Sequence, residues 1–354
     1  MRSNTSDPDQ NNLSMTNSYA LSYLDKFMDY VQRLPAPYWM TYLIIFTLQS
    51  LIFHILAWVD GWLPAYSFSM LLMLFPLWLW GPMAIMTYLN NTSRKELSRF
   101  STLLEIDEDS LNKLKAEYTT MPTRGVIINA VVWVVVYVLL TIVSYDSLKI
   151  FGFGRLFLVF LILEGFISYT NGGAIYYHSF RQLTLVSRTV KMVRQFNLFN
   201  RDPIYALSRL TSRTGISWML MLGLTLLMYP LEIARNAAMI LLAFQVILAM
   251  MAFVLPLQVV NQKLVVEKRR LLSDLDLRIE TSLERLHLCI DENRLDELEL
   301  LDKAIASLNT ERSILKNIPT WPWSSGTLTG FLSAVGLPLI LLLLQIMIQD
   351  WLAK

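Results

Sequence analysis

The chain has 354 residues, 54% of them hydrophobic, with a mean hydropathy of +0.44 and only 16% Asp, Glu, Lys and Arg. A soluble domain of this length carries about a quarter charged residues, so the composition excludes an ordinary soluble protein. A net charge of +2 argues for neither a nucleic acid nor an acidic partner.

One cysteine, Cys289, excludes an internal disulfide. His54, His178 and His287 are too scattered to form a spaced zinc cluster, and no cofactor is implied.

In chain order, residues 1–19 are rich in Asn, Ser and Asp and too poor in apolar groups to offset the entropy of ordering, so a disordered tail is expected. Within 20–37, Leu21, Leu24, Met28 and Val31 form one helical stripe beside Asp25, Lys26 and Asp29. This reads as an amphipathic helix lying on the membrane surface, ended by Pro35 and Pro37. The first 35 residues hold no signal-peptide core, so the first apolar block is read as an uncleaved anchor.

Seven apolar blocks follow, at 38–59, 66–90, 125–145, 150–177, 215–232, 236–260 and 327–350. Each approaches the roughly 20 residues that cross a bilayer. The expected fold is therefore all-α, a polytopic bundle of about seven spans. Six spans occupy 38–260, with charged returns at 91–124 and 179–214, and the last belongs to 319–354. The N-terminal segment, these two returns and 261–326 hold 26 of the 30 Lys and Arg residues. Positive segments stay in the cytoplasm, which places the N-terminus inside a plasma membrane and the C-terminus outside.

The returns read as helical. In 91–124, Ser110 is a candidate cap for a short helix. In 179–200, Leu183, Val186, Val190, Val193 and Phe196 recur at helical spacing, so the fourth span is expected to run on into the cytoplasm before Asp202 and Pro203 restart a helix. The region 261–318 carries two seams: Leu272, Leu275, Ile279, Leu283, Leu286 and Ile290, then Leu298, Leu301, Ile305, Leu308 and Leu315. Their 3,4 spacing predicts a coiled-coil-like helical hairpin, with 261–316 a candidate surface for homo-oligomers. Pro319 ends the second arm, Trp321-Pro322-Trp323 suits the headgroup level, and Thr327 is placed to cap the last span.

The stretch NIPTWPWSSGTLTGFLSA from Asn317 to Ala334, together with FNLFNRDPIYALSRLTSRTGI around Asp202, resembles segments of uncharacterised prokaryotic multi-pass membrane proteins. That resemblance implies a family but no activity, cofactor or site. In topology alone, seven spans with an internal N-terminus and extended cytoplasmic helices are similar to insect-type chemoreceptor channels; fold does not imply function.

Glu164 interrupts an apolar run at mid-span, where a carboxyl faces a cavity or a partner. It is a candidate proton or cation site, or else a hydrogen bond between helices. His54 lies at a similar depth and is a candidate partner for Glu164. Asn171 with Gly172 and Gly173 either breaks a helix to line a cavity or, through Ser168 and Gly172, allows close helix approach; Gly330 and Ala334 invite the same packing account. Gln245 is a candidate pore-lining or interhelical residue. Arg181, Arg188, Lys191 and Arg194 are candidate contacts for anionic lipid headgroups.

No catalytic motif is present, and a nucleic acid is disfavoured because aromatic residues do not interleave with a basic groove. The leading expectation is a channel-like or receptor-like sensor gated through cytoplasmic helices. The alternatives are a non-conducting anchor or scaffold that recruits a cytoplasmic partner, and a proton-coupled transporter that uses Glu164.

Overall fold

The computed structural model describes residues 21–150, 152–193, 196–228, 231–292 and 294–352. The expected tail at 1–19 and the candidate Arg194 lie outside these residues. Among them the chain is all-α apart from an isolated bridge between Leu21 and Pro122. The helices are α1 (Tyr23–Arg33), α2 (Tyr38–Val59), α3 (Met70–Phe100), α4 (Glu108–Thr119), α5 (Thr123–Ile150), α6 (Arg155–Gly172), α7 (Ala174–Met192), α8 (Asp202–Met228), α9 (Leu231–Asp291), α10 (Leu295–Asn317) and α11 (Ser325–Leu352).

Six helical stretches are long and apolar enough to cross a bilayer: α2, α3, α5, α6 running into α7, α9 and α11. Their outward faces agree with that reading. On α5, Ile128, Val131, Val135, Leu139 and Ile142 are exposed, and on α11 Leu337, Ile340, Leu343 and Met347 are exposed. Apolar area of that extent is stable only against hydrocarbon. The chain is a multi-pass membrane protein.

The expected span at 215–232 falls in α8, which is not among the six. The reason is composition: Arg209, Arg213 and several Ser and Thr residues interrupt its apolar run. α8 packs against α3, α9 and α11 at the centre of the bundle, so protein covers most of it, with Leu220 and Leu227 left facing outward. It can therefore carry buried Ser208, Thr211, Thr214 and Thr225, whose hydroxyls donate to carbonyls three or four residues back in the same helix. Only two residues separate α8 from α9, and the two helices pack together as a helical hairpin.

Local signals explain most boundaries. Ser22 and Asp25 form a capping box at the start of α1. The apolar stripe of α1 is not left for lipid: Leu24, Met28 and Val31 are buried among Tyr42, Met86, Met121, Ile175 and other residues of α2 to α7. α4 begins at Glu108, two residues ahead of Ser110, with Asp107 at the cap. At α11 the cap is Ser324 rather than Thr327, since the Thr327 amide donates to Ser324 Oγ at 3.2 Å. α6 and α7 are joined through Gly173 in ordinary helical conformation, so the helix continues through the Gly172-Gly173 pair instead of breaking there.

Contacts sort the connecting segments onto two ends of the bundle. At one end, the Met121 amide donates to Asp25 Oδ2 at 2.9 Å, Arg181 reaches the Thr120 carbonyl at 2.5 Å, and Lys263 reaches the Val193 carbonyl at 2.7 Å. Segments 91–124 and 179–214 and the base of the α9–α10 hairpin therefore share this charged end. At the other end, the Ser69 amide donates to His54 Nε2 at 3.2 Å, and the tilted rings of Trp62 and Phe153 lie with centroids 4.8 Å apart.

The glycines separate close crossings from open faces. A Cβ on Gly172 would lie 2.2 Å from the Trp78 carbonyl oxygen, a backbone atom that cannot step aside, whereas a Cβ on Gly330 would meet nothing within 4 Å. Gly172 is thus a packing glycine and Gly330 is not. Gly172→Ala should lower the unfolding midpoint in detergent by a cost of about 1–3 kcal/mol, while Gly330→Ala should leave it unchanged or slightly raise it; tryptophan fluorescence on heating reads both.

Candidate functional site

The mid-membrane candidates come first. Glu164 is buried on α6 and is bonded by Ser168 Oγ at 3.1 Å and by the side chain of Gln49 on α2. Gln49 in turn accepts from Trp80 Nε1 of α3. One carboxyl thus links α2, α3 and α6 through neutral partners, and no described cation lies within ion-pair distance of it. His54 is not its partner. His54 Nδ1 bonds the Ser50 carbonyl at 2.7 Å and Nε2 bonds the Ser69 amide at 3.2 Å, which turns the ring toward the loop.

Asn171 returns its Nδ2 to the Ile167 carbonyl of its own helix at 2.8 Å. Gln245 is buried, bonds Tyr176, and leaves Oε1 without a protein partner beside a cavity of about 10 Å³ lined by Trp78, Pro82, Ile175, Trp218 and Met221. That space admits one water. Glu164, His54, Asn171 and Gln245 therefore occupy separate places and do not converge on one site.

The charged end holds a denser arrangement. Glu96 on α3 is fully buried, and three guanidinium groups surround it: Arg209 Nε at 2.9 Å, Arg99 Nη1 at 3.3 Å and Arg213 Nη1 at 3.5 Å. Arg209 also reaches Asp202 at 3.1 Å. The acid on α3 and the bases on α8 clamp the central helix at the level where it leaves the bundle. Beside the clamp, His178 Nε2 bonds Asn90 Oδ1 at 2.7 Å, Gln182 donates to the Tyr118 carbonyl at 2.9 Å, and Tyr118 bonds Thr189 at 2.8 Å, which ties α3, α4 and α7. Burial pushes the Asp25 carboxyl above its ordinary range, against the opposing pull of the Met121 and Ser22 donors.

Three cations end helices here. Arg181 donates to the Glu117 and Thr120 carbonyls at the end of α4. Lys263 Nζ donates to the Val190, Lys191 and Val193 carbonyls at the end of α7, at 3.1, 3.2 and 2.7 Å. Lys268 Nζ donates to the Lys316 and Ile318 carbonyls at the end of α10, both at 2.7 Å. Helix C-termini leave carbonyls unsatisfied and carry partial negative charge, so a cation placed there both bonds and neutralises. Of the candidate headgroup contacts, Arg181 is occupied in this way, Arg188 is exposed and pairs with Glu117 at 3.4 Å, and Lys191 is exposed.

From this base α9 continues as one helix to Asp291, and α10 returns along it. Arg312 Nε meets Asp276 Oδ1 at 2.6 Å across the pair, an exposed contact consistent with the register of the seam. On α10, Leu298, Leu301, Ile305 and Leu308 are partly covered and Leu315 is buried. The α9 seam differs at two positions. Leu272, Leu275, Ile279 and Leu286 face α10, but Ser282 and Cys289 complete the line, and Leu283 and Ile290 turn outward, 39% and 54% exposed. The repeat runs through 275, 282 and 289, so it keeps a seven-residue spacing at the cost of two apolar side chains.

Comparison with family models, with curated proteins and with solved structures finds no match. No characterised family supplies a function. Glu96, Lys263 and Lys268 were not foreseen from the sequence. The i,i+3 spacing of Glu96 and Arg99 was a faint signal for the first, but the acceptors of the two lysines are backbone carbonyls, which any residue carries.

Removing one partner of a buried ion cluster costs about 3–5 kcal/mol, because the remaining charges lose their counter-ion. Glu96→Gln should therefore lower the unfolding midpoint strongly. Arg188→Gln, which breaks only an exposed pair worth less than about 1 kcal/mol, should leave it nearly unchanged. Equal midpoints for the two variants would contradict the clamp.

Proposed function

We propose that this protein is a non-conducting membrane anchor that holds a rigid two-helix arm on the cytoplasmic face, where a soluble partner is recruited. The observation that carries the reading is the continuity of α9. One helix of 61 residues passes from the bundle to the arm's outer end without a break. At 1.5 Å per residue, the part beyond residue 260 projects roughly 45 Å from the membrane body.

The arm is fixed rather than tethered. Lys263 ties its base to α7, Lys268 ties α10 back onto α9, and Arg312 meets Asp276 across the two helices. A flexible recruiter needs none of these bonds, whereas an arm of fixed height and direction needs all of them. The cytoplasmic assignment rests on the concentration of Lys and Arg at this end.

The mid-membrane polar groups support the same reading. Glu164, Gln49 and Trp80 bond one another across three helices, as interhelical hydrogen bonds do where their loss leaves polar groups in hydrocarbon. A carboxyl that carries a proton across a membrane has to exchange partners, and here its partners also hold helices together.

Proton and potassium flux through the purified protein in liposomes tests the proposal. Flux at the level of empty liposomes is expected, with no change in Glu164→Gln. Wild-type flux that Glu164→Gln abolishes, in protein that still elutes as a folded species, would overturn the anchor in favour of a transporter.

A further inference from the structure

We infer that the outer half of the α9–α10 arm is the docking site for a basic amphipathic helix of a water-soluble partner. This inference rests on the anchor reading and names the chemistry of what the anchor recruits.

The first observation is the pair of apolar residues that the seam leaves out. Leu283 and Ile290 stand seven residues apart on α9, both on exposed positions beside the covered seam. At 100° per residue they fall on one line beside the seam, which is the line a third helix meets when it settles into the groove of a helix pair. Neither residue is needed to hold the hairpin, since Ser282 and Cys289 occupy the seam at those turns.

The second observation is charge. Residues 280–303 contain eight acidic against three basic residues, a net charge of −5. Two of those bases are already engaged within the arm: Arg294 pairs with Glu292 and Glu297, and Lys303 pairs with Glu299. Among the described residues, Glu280, Glu284, Asp291 and Asp302 have no ion-pair partner. The spacing of Glu280, Glu284 and Asp291 puts them on the line adjacent to Leu283 and Ile290. An apolar line bordered by unpaired carboxylates fits a helix whose apolar stripe is bordered by Lys and Arg.

The third observation decides between such a helix and a second copy of this chain. Copies in one membrane share one orientation and one depth, so their arms stand parallel and level. A neighbouring arm would then set its own net −5 against this one, carboxylate facing carboxylate at the same height. Antiparallel arrangement or sliding would relieve the repulsion, but the membrane anchor forbids both. A soluble partner has neither constraint.

The test uses the full-length protein in nanodiscs of neutral phosphatidylcholine, with empty nanodiscs subtracted. Three fluorescent heptad peptides of equal length share one apolar stripe, flanked by Lys in the first, Glu in the second and Ser in the third, and anisotropy reads their binding. The Lys peptide is expected to bind at least 10-fold more tightly than the Glu peptide. Leu283→Ser with Ile290→Ser should weaken the Lys peptide 10-fold or more, and Glu284→Lys with Asp291→Lys should reverse the preference between Lys and Glu peptides. Both double variants alter exposed positions, and circular dichroism of each confirms that the arm remains folded.

Equal binding of the Lys and Glu peptides, or Lys-peptide binding indifferent to both double variants, would overturn the inference. So would a wild-type dimer in the nanodisc or in detergent that Leu283→Ser with Ile290→Ser dissociates, since the occupant would then be a second copy. Failure here with no ion flux leaves the anchor standing without this docking site. Glu164-dependent flux with intact Lys-peptide binding would remove the anchor and leave the docking site.

Discussion

The architecture depends on how helix ends are completed at the charged end of the bundle. A helix that stops presents carbonyls with no intrahelical partner and a partial negative charge. Here cations from neighbouring helices meet those carbonyls: Arg181 closes α4, Lys263 closes α7 and Lys268 closes α10. Each such bond also ties two elements together, so completing the helices assembles the charged end. Glu96, buried among Arg99, Arg209 and Arg213, adds a clamp between α3 and α8 at the same end.

That arrangement gives the positive charges two roles. In sequence they read as a topological signal, since Lys and Arg hold connectors on one face of a membrane. In the folded chain several of them also form the structural base of the arm. The two roles reinforce each other, because connectors kept on one face are close enough to bond, and once bonded they hold the arm upright. The long helix α9 is the element that joins bundle to arm, and its two lysines lie just beyond its membrane segment, where both neighbouring helix ends come within reach.

Much of this was legible in the sequence, and what was not has definite causes. Long apolar blocks gave the membrane helices because hydrocarbon demands them, and the 3,4 spacing from Leu298 to Leu315 gave the return arm. The block at 215–232 was read as one more span; α8 holds it at the centre of the bundle, and its basic and hydroxyl residues keep it less apolar than the six most hydrophobic helices. Leu283 and Ile290 were placed in the seam because a leucine or isoleucine is the better seam residue in isolation; the heptad carried through Leu275 and Cys289 overrides that preference. Glu164 stood out because a carboxyl in an apolar run is conspicuous, whereas Glu96, in a polar stretch, was not. The buried acid with the larger number of charged partners was the less visible of the two.

The central claim is that the basic connectors and the arm leave the bilayer together on one face. Site-directed labelling tests it most directly. In a Cys289→Ser background, single cysteines are introduced as Phe199→Cys, Leu277→Cys and Tyr66→Cys, all at exposed positions, and treated with a membrane-impermeant maleimide in sealed vesicles of each orientation. The account expects the first two to react together from one side and Tyr66→Cys only from the other. Reaction of Phe199→Cys and Leu277→Cys from opposite sides would contradict it.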